Sequence, residues 1–277
     1  MPLVSDTVGR DRRVSAIILN YRSPRDTLGC IRALLAQTIA DRIEIIVVDN
    51  HSDDESIGWI RNQFKGNAKV KIVESAMNRG YGQGNELGIR GARGKYFLII
   101  NPDNQLEPTG LEKMVAKMEN DPGIGILAPK LVHPDGTIRP SFRKFPSMPD
   151  VFIKRTFLIT FFPERVDRYL EKETDSSVTR DVDWVVGACF LIRKDFFQAL
   201  GGFDPHFFLF FEDMDLCRRT WTAGKRVVYF PDVVAGDRKG RLSEGGILSL
   251  FTKKTVRIHL KSALWYFWKW KGLRVPK

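Results

Sequence analysis

The residues of this 277-residue chain best placed to do chemistry are carboxylates that close apolar runs. The sharpest case is FFLFFEDMDLCRRT at 207–220, where Glu212, Asp213 and Asp215 directly follow Phe207, Phe208, Leu209, Phe210 and Phe211. Burying an unpartnered ionised carboxylate is expensive, so such a group must be paired, metal-bound or protonated. Two readings are open for the segment. Either a buried strand or loop ends here and the acids open the next helix, or they form a catalytic set at the tip of an apolar element. Asp49 closes IIVVDN and is followed by Asn50, Ser52, Asp53 and Asp54. A helix cap with an acidic first turn accounts for that run, and a strand-end carboxylate equally accepts hydrogen bonds from a nucleotide base or ribose. Asp103 in IINPDN follows a strand stopped by Pro102. One carboxylate with phosphate oxygens and waters is a usual way to hold Mg2+ or Mn2+. A nucleoside diphosphate with its metal at Asp103 would then meet a base in FFEDMD, giving displacement at a carbon that bears the diphosphate. NRGYGQGN at 78–85 puts Gly80, Gly82 and Gly84 at alternate positions. That spacing does not match the dinucleotide fingerprint and also suits a turn into a helix.

Elements able to position these groups are written in the hydropathy. VSAIILN (14–20), IEIIVVDN (43–50), KVKIVES (69–75) and KYFLIIN (95–101) are continuous apolar runs that read as strands buried on both faces. Segments with helical spacing lie between them, and the alternation predicts an α/β domain with a mostly parallel, doubly wound sheet. Ligands of such sheets bind outside the carboxyl ends of the strands. Asn20, Asp49, Asn50, Asn101 and Asp103 all fall there. We expect a tail over 1–13, one domain over 14–243 and a basic, aromatic helical segment over 244–277. Within the domain, a nucleotide-binding half spans about 14–123 and an acceptor and catalytic half about 124–243. Residues 133–180, rich in Pro, Arg and Phe, show no periodicity and read as a long, partly ordered loop.

An apolar content of 43% with 28% charged residues excludes wholesale disorder. Cys30, Cys189 and Cys217 are too far apart for a disulfide framework or a zinc spacing. MPLVSDTVGRDRR has no leader-like apolar core, and no run is long enough to span a bilayer, so a cytoplasmic protein is expected. The net charge of +11 calls for an anionic partner. Phosphorylated small molecules and anionic lipid fit; nucleic acid does not, for want of any recognisable binding motif. In LFTKKTVRIHLKSALWYFWKWKG, helical spacing gathers Val256, Leu260, Ala263, Leu264 and Phe267 on one face and Lys254, Arg257 and Lys261 on another. Trp265, Trp268 and Trp270 cluster at its end. A helix packed on the domain and a helix lying on anionic lipid are both compatible with that pattern.

The ordered set ILNY, IIVVDNHSDD, NRGYGQGNELGI, YFLIINPDN, DWVVGACFLIRK and GGFDPHFFLFFEDMDLCRR resembles family 2 glycosyltransferases of the GT-A fold. More narrowly it resembles their bacterial rhamnosyltransferase-like branch, over about 14–235 and on into IHLKSALWYF. The resemblance implies an inverting glycosyltransferase with a dTDP- or UDP-linked donor, dTDP-L-rhamnose foremost. It implies a saccharide acceptor, lipid-linked, in cell-surface polysaccharide biosynthesis, and a site on the inner face of the cell membrane. Carried over residue by residue, Asp49 contacts the donor nucleoside with Asn20 and Tyr21 beside it. Asn78, Arg79 and Gly80 stand on the donor side, and Asn101 and Asp103 stand where many relatives have D-x-D, Asp103 binding Mg2+ or Mn2+. Trp184, Gly187 and Ala188 shape the acceptor and sugar pocket. Asp213 is the general base with Glu212 beside it, while Arg79 and Arg218 are candidate phosphate partners. One departure stands out. Relatives commonly carry a His shortly after the YFPD-like strand to complete the metal site; a gap-free count puts Asp237 there. A carboxylate suits the same hard dications. The competing reading is a solvated loop aspartate paired with Arg238 or Lys239. A non-catalytic nucleotide-sugar-binding or scaffolding relative is the rival function.

Overall fold

The computed structural model describes residues 13–154, 160–171, 174–238 and 254–273. The four apolar runs become β1 (Val14–Asn20), β2 (Ile43–Asp49), β3 (Val70–Glu74) and β4 (Tyr96–Ile100). They lie parallel in the order β3-β2-β1-β4, joined by α1 (Pro24–Leu35), α2 (Ser56–Gln63) and α3 (Gly80–Ile89). Helices cover both faces of this sheet, so β2 and β4 are buried at every residue, which accounts for runs that do not alternate.

Beyond β4 come β5 (Asn104–Leu106), α4 (Gly110–Asn120) and β6 (Ile124–Val132). The stretch expected as a long loop instead holds short elements: β7 (Ile138–Arg139), β8 (Phe142–Arg143), α5 (Met148–Lys154), α6 (Pro163–Leu170) and β9 (Arg180–Asp181). They are too short for periodicity to register. β10 (Trp184–Val185), β11 (Cys189–Arg193), α7 (Lys194–Ala199), α8 (Glu212–Thr222), β12 (Arg226–Asp237) and α9 (Lys254–Lys269) complete the described chain. The sheet continues from β4 as β11-β6-β12-β5. β11 runs antiparallel to both its neighbours and β5 antiparallel to β12, so the sheet is mixed but mostly parallel.

One core, with Leu28, Ile31, Ile60, Met114 and Met118, lies under α1, α2 and α4. The other, with Phe197, Met214, Leu216 and Tyr266, lies under α3, α7, α8 and α9. The glycines of α3 let it approach the sheet closely: a Cβ on Gly88 would sit 2.7 Å from a Val48 methyl. Phe207–Phe211 form no strand; they are an irregular bend leading into α8. α9 buries only part of the face that periodicity picks out. Val256, Ser262, Ala263 and Tyr266 are buried, whereas Leu260, Leu264 and Trp268 are 46%, 55% and 68% exposed. Polar contacts set this rotation: Lys269 and Trp270 reach Asp215, and Ser262 donates to the Leu209 carbonyl. Of the expected terminal segments, residues 1–12, 244–253 and 274–277 lie outside the described residues, as do 239–243 at the end of the domain.

Candidate active site

The ends of β1 and β2 are tied together by register, Asn20 opposite Asp49. The Asn20 amide donates to Asp49 Oδ1 at 2.8 Å, and the Thr27 hydroxyl donates to Asn20 Oδ1 at 2.9 Å. Asp49 also accepts from the backbone N–H and the hydroxyl of Ser52. Asn20 has no exposed surface. It stands beside Asp49, as expected, and holds that carboxylate in place from below. Asn50 plays a similar part, donating to the Asn78 side chain and the Gly80 carbonyl and accepting from the Arg79 N–H at 2.9 Å. Tyr21, 45% exposed, and the exposed Arg79 present free surface on this edge. Gly80, at φ +76°, starts α3 where a Cβ would fall 1.9 Å from the Phe208 carbonyl oxygen. That contact, with the Tyr81 N–H donating to the same oxygen at 2.8 Å, locks the donor-side turn onto the apolar bend.

Asp103 lies just past β4, where the Asn101 N–H donates to the Ala188 carbonyl at 2.7 Å. Burial, and then the charge of Asp237, push the Asp103 carboxyl above its usual range. Asp237 is no solvated loop residue. It ends β12 opposite Asn104 of β5, is 2% exposed and pairs with Arg139, while Arg238 pairs with Asp26. One Asn104 amide nitrogen lies 2.7 Å from Asp237 Oδ1 and 3.4 Å from Asp103 Oδ1, so the two acids share a neighbourhood. His133 Nδ1 lies 3.0 Å from the Asp237 carbonyl and 3.5 Å from its Oδ2. That buried Oδ2 has no hydrogen-bond partner. An orphaned carboxylate oxygen beside a second, mutually repelling carboxylate fits a dication. Among the described residues no group of three or more His, Cys, Asp or Glu forms a complete cage, so phosphate oxygens and waters would supply the remaining ligands. His133 and Arg139 were not anticipated; only the β6–β7 pairing brings them here.

The third cluster forms at the start of α8. Phe210 and Phe211 adopt φ of +70° and +69°, an uncommon conformation for bulky residues that turns the chain sharply into Glu212. Asp213 accepts from the Gly187 N–H through Oδ2 and from the Met214 N–H through Oδ1, both at 2.8 Å. A side chain at Gly187 would crowd the base of this carboxylate, since its Cβ would lie 3.2 Å from that of Asp213. The Tyr81 hydroxyl donates to the Gly187 carbonyl, so this peptide is fixed on both sides. Burial first, then Glu212, Asp213, Cys189 and Asp103, push the Tyr81 hydroxyl well up, which places it within the field of both acid clusters. Burial likewise raises Asp213, opposed by the two N–H donors and by Arg143. Glu212 is raised well above its usual range by burial and by Asp213, and its buried Oε2 has no hydrogen-bond partner.

Three neighbours have other tasks. Asp215, fully buried, pairs with Arg219 and Lys269, each at 2.8 Å, and accepts from the Trp270 indole at 2.9 Å. Arg218, expected as a phosphate partner or a solvated side chain, is half-buried and engaged within the protein. It donates to the Tyr266 hydroxyl at 3.2 Å and the Leu273 carbonyl at 2.6 Å, and its guanidinium lies 4.7 Å from the Trp270 ring centre. Trp184 is 4% exposed, with its indole donating to the Lys144 carbonyl and Arg143 stacked over its ring. It therefore supports a wall from within the core, and Ala188, 2% exposed, does likewise.

Residues 15–201 match the family model Glycosyl transferase family 2, a match that ends before α8. The chain is 29% identical over 222 residues to N-acetylglucosaminyl-diphospho-decaprenol L-rhamnosyltransferase of Mycobacterium tuberculosis, covering 76% of this chain and 71% of that one. It is also 29% identical over 246 residues to rhamnosyltransferase WbbL of Escherichia coli, covering 85% of this chain and 87% of the relative. Among solved structures it resembles GalNAc-T7 with UDP, GalNAc and Mn2+, at a TM-score of 0.69 and 14% identity over 96% of this chain. This chain spans about half, 49%, of that one. TarS 1–349 of S. aureus in complex with UDP matches at a TM-score of 0.58 and 16% identity, over 82% of this chain and 61% of TarS. At such identities these likenesses concern the fold, which is of GT-A type.

Proposed function

The chain belongs to glycosyl transferase family 2, and from that premise we propose that it transfers L-rhamnose from dTDP-L-rhamnose to a lipid-linked saccharide during cell-surface polysaccharide assembly. The sugar and the acceptor class are supported by two relatives named for rhamnosyl transfer, one onto a diphospho-decaprenol acceptor. The observation that carries the enzymatic reading is the Asp213 carboxylate. Two backbone N–H groups aim it, and Tyr81 relates it to Asp103.

Asp213 takes the proton from an acceptor hydroxyl as that oxygen attacks the anomeric carbon. The bond from this carbon to the diphosphate breaks on the opposite side, and the configuration inverts. A carboxyl raised by burial is a better base near neutral pH than an ordinary aspartate. Burial and the charge of Asp213 favour the protonated form of Glu212 beside it. Tyr21 and Arg79 face the donor edge, Arg79 toward the diphosphate. Asp103 and Asp237 would hold Mg2+ or Mn2+, and that ion when bound neutralises charge on the departing diphosphate. The Arg139–Asp237 pair is the one feature that favours a non-catalytic sugar-nucleotide binder, because a cation already meets that acid.

Among the described residues no helix is long and apolar enough to cross a membrane. Peripheral attachment to the inner face of the cell membrane is supported by the net charge of +11 and by the outward face of α9. There Arg257, Lys261 and Lys271 flank the exposed Leu260, Leu264 and Trp268.

The test is release of nucleoside diphosphate from a panel of nucleotide sugars, with and without Mn2+ and a prenyl-diphosphate-linked saccharide. Acceptor-dependent turnover should be greatest with dTDP-L-rhamnose. Turnover with another sugar alone would overturn the donor, and tight donor binding without any turnover would favour the non-catalytic alternative.

A further inference from the structure

Asp103 and Asp237 fit a dication, yet Asp237 already faces a cation of the chain itself. Arg139 Nη1 donates to Asp237 Oδ1, and the Asn104 amide donates to the same oxygen at 2.7 Å. An arginine and a carboxylate can form a two-point fork that engages both oxygens. Here only one is engaged. Oδ2 of Asp237 is buried without a hydrogen bond, and His133 Nδ1 stands off at 3.5 Å. Arg139 therefore neutralises the carboxylate without closing it. The Asp237 side chain is 1% exposed and that of Arg139 22%, so the guanidinium lies at the rim of the cluster and the acid at its floor.

The element that carries Arg139 suits a side chain that changes partner. β7 is two residues long and pairs with the end of β6, Arg139 opposite Leu131 and Ile138 opposite Val132. Its turn is closed by its own backbone: the His133 N–H donates to the Thr137 carbonyl at 2.8 Å, and the Gly136 N–H to the His133 carbonyl at 2.9 Å. The hairpin is thus held independently of the ion pair, and the guanidinium can leave Asp237 while the backbone stays. Charge decides when it would leave. The charge of Arg139 acts on Asp103 as well as Asp237, and the two carboxylates and one guanidinium sum to a single negative charge. A dication alone would reverse that sum and set two cations against each other at Asp237. The two phosphate charges of a nucleotide sugar alone would make the site triply negative. Entering together, dication and diphosphate leave the sum as it was.

We propose that Arg139 is a movable counter-cation, paired with Asp237 before the donor arrives and turned to the donor's diphosphate once a dication takes that carboxylate. Metal and donor then bind as a coupled pair. This rests on the metal-assisted transfer proposed above, and its test does not need turnover. Mn2+ is titrated into the full chain and followed by electron paramagnetic resonance, and dTDP is titrated by calorimetry with Mn2+ present, with UDP in parallel. Arg139→Gln should bind Mn2+ alone about tenfold more tightly and dTDP with Mn2+ about tenfold less tightly, a usual size for coupling between two sites. Arg139→Lys keeps the charge and should stay within about threefold of wild type in both. Loss of a merely structural pair would weaken both affinities, and removal of a guanidinium that touches only Asp237 would weaken neither; either result overturns the proposal. Phenylglyoxal labelling of Arg139 in the wild-type chain, read by peptide mass, follows the movement without a variant and decides the matter even if Arg139→Gln does not fold. Labelling should be fastest with Mn2+ alone and slowest with Mn2+ and dTDP, and equal rates with and without these ligands would overturn the proposal. Binding of UDP with Mn2+ but not of dTDP would refute the donor proposed above and leave Arg139 to be judged with UDP. Affinities and labelling indifferent to Arg139, with sugar transfer intact, would refute its role alone.

Discussion

Replacing Asp213 with Asn removes a proton acceptor and leaves the side-chain shape nearly unchanged. In the native protein Oδ1 accepts the Met214 N–H and Oδ2 the Gly187 N–H, both at 2.8 Å. An asparagine must turn its NH2 toward one of those donors, losing one hydrogen bond and leaving a buried N–H unsatisfied, at a cost of about 1–3 kcal/mol. Removing a buried charge beside Glu212 acts in the opposite direction, because burial already disfavours ionised Asp213. The two effects partly cancel, so the net loss of stability should be about 2 kcal/mol or less and the melting temperature should fall by only a few degrees. Turnover, by contrast, should fall by about 10²–10⁴, the usual contribution of a general base. That corresponds to about 3–5 kcal/mol in the barrier. The assay is kcat at saturating donor and acceptor, with nucleoside-diphosphate affinity and thermal unfolding measured on the same preparation. A folded variant turning over within threefold of wild type would refute the role of Asp213. A loss of turnover matched by a loss of fold would refute the estimate of what its two N–H partners contribute.

Asp237→Ala should raise the Mn2+ concentration needed for half-maximal nucleoside-diphosphate binding about tenfold, near 1.4 kcal/mol; wild-type metal dependence would leave Asp237 only its pair with Arg139. Glu212→Gln should retain most of the turnover that Asp213→Asn loses, because burial and the charge of Asp213 favour the protonated form of the native group, and a steady-state comparison showing equal losses would reject that division. Its effect on stability has a definite sign. A carboxyl raised on folding binds more protons folded than unfolded, so it loses stability as pH rises from its unfolded value through its folded one. Unfolding curves of Glu212→Gln against pH should lack that decline, and a decline identical to wild type would count against it. On α9, the double substitution Leu264→Glu with Trp268→Glu should abolish sedimentation with anionic vesicles at an unchanged melting temperature, whereas Tyr266→Ala should lower the melting temperature; vesicle binding that survives the charge pair would remove the outer face as the docking surface.

The first half of the domain was legible because its strands are covered on both faces, which leaves continuous apolar runs ending in polar residues. Asn20, Asp49 and Asp103 were found by that signal alone. Its limits are physical. Asn20 and Asp49 both stand at strand ends, yet one is sealed beneath the other, and only the β1–β2 register decides which. Asp237 lies 133 residues from Asn104 and 98 from Arg139, and no local pattern announces partners at such separations. Periodicity located α9 but not its rotation, because polar contacts at Ser262, Lys269 and Trp270 fixed which apolar residues turned inward.

The three acids of FFEDMD share one stretch of helix and differ in the donors that reach them. Asp215 meets Arg219, Lys269 and the Trp270 indole and acts as an anchor. Asp213, at the start of α8, meets two backbone N–H groups, which hold it in place without a cationic partner and suit the base role proposed for it. Glu212 has one oxygen with no partner, and burial and the charge of Asp213 push its carboxyl well above the usual range. Two of the donors to Asp215 come from α9 and the residue just beyond it. The same helix packs Tyr266 against Phe211, whose left-handed backbone delivers Glu212 and Asp213 to the site. A segment that looked appended in sequence is thus part of what orients the proposed base. Cutting the chain before α9 should disorder the 207–215 bend and abolish turnover even on a soluble acceptor, where attachment to a membrane is irrelevant. Hydrogen exchange over 207–215 separates the two roles of the helix. Removing α9 should speed that exchange, and Leu264→Glu with Trp268→Glu should leave it unchanged. Slow exchange and full turnover in the shortened chain would show α9 to be a membrane anchor and nothing more.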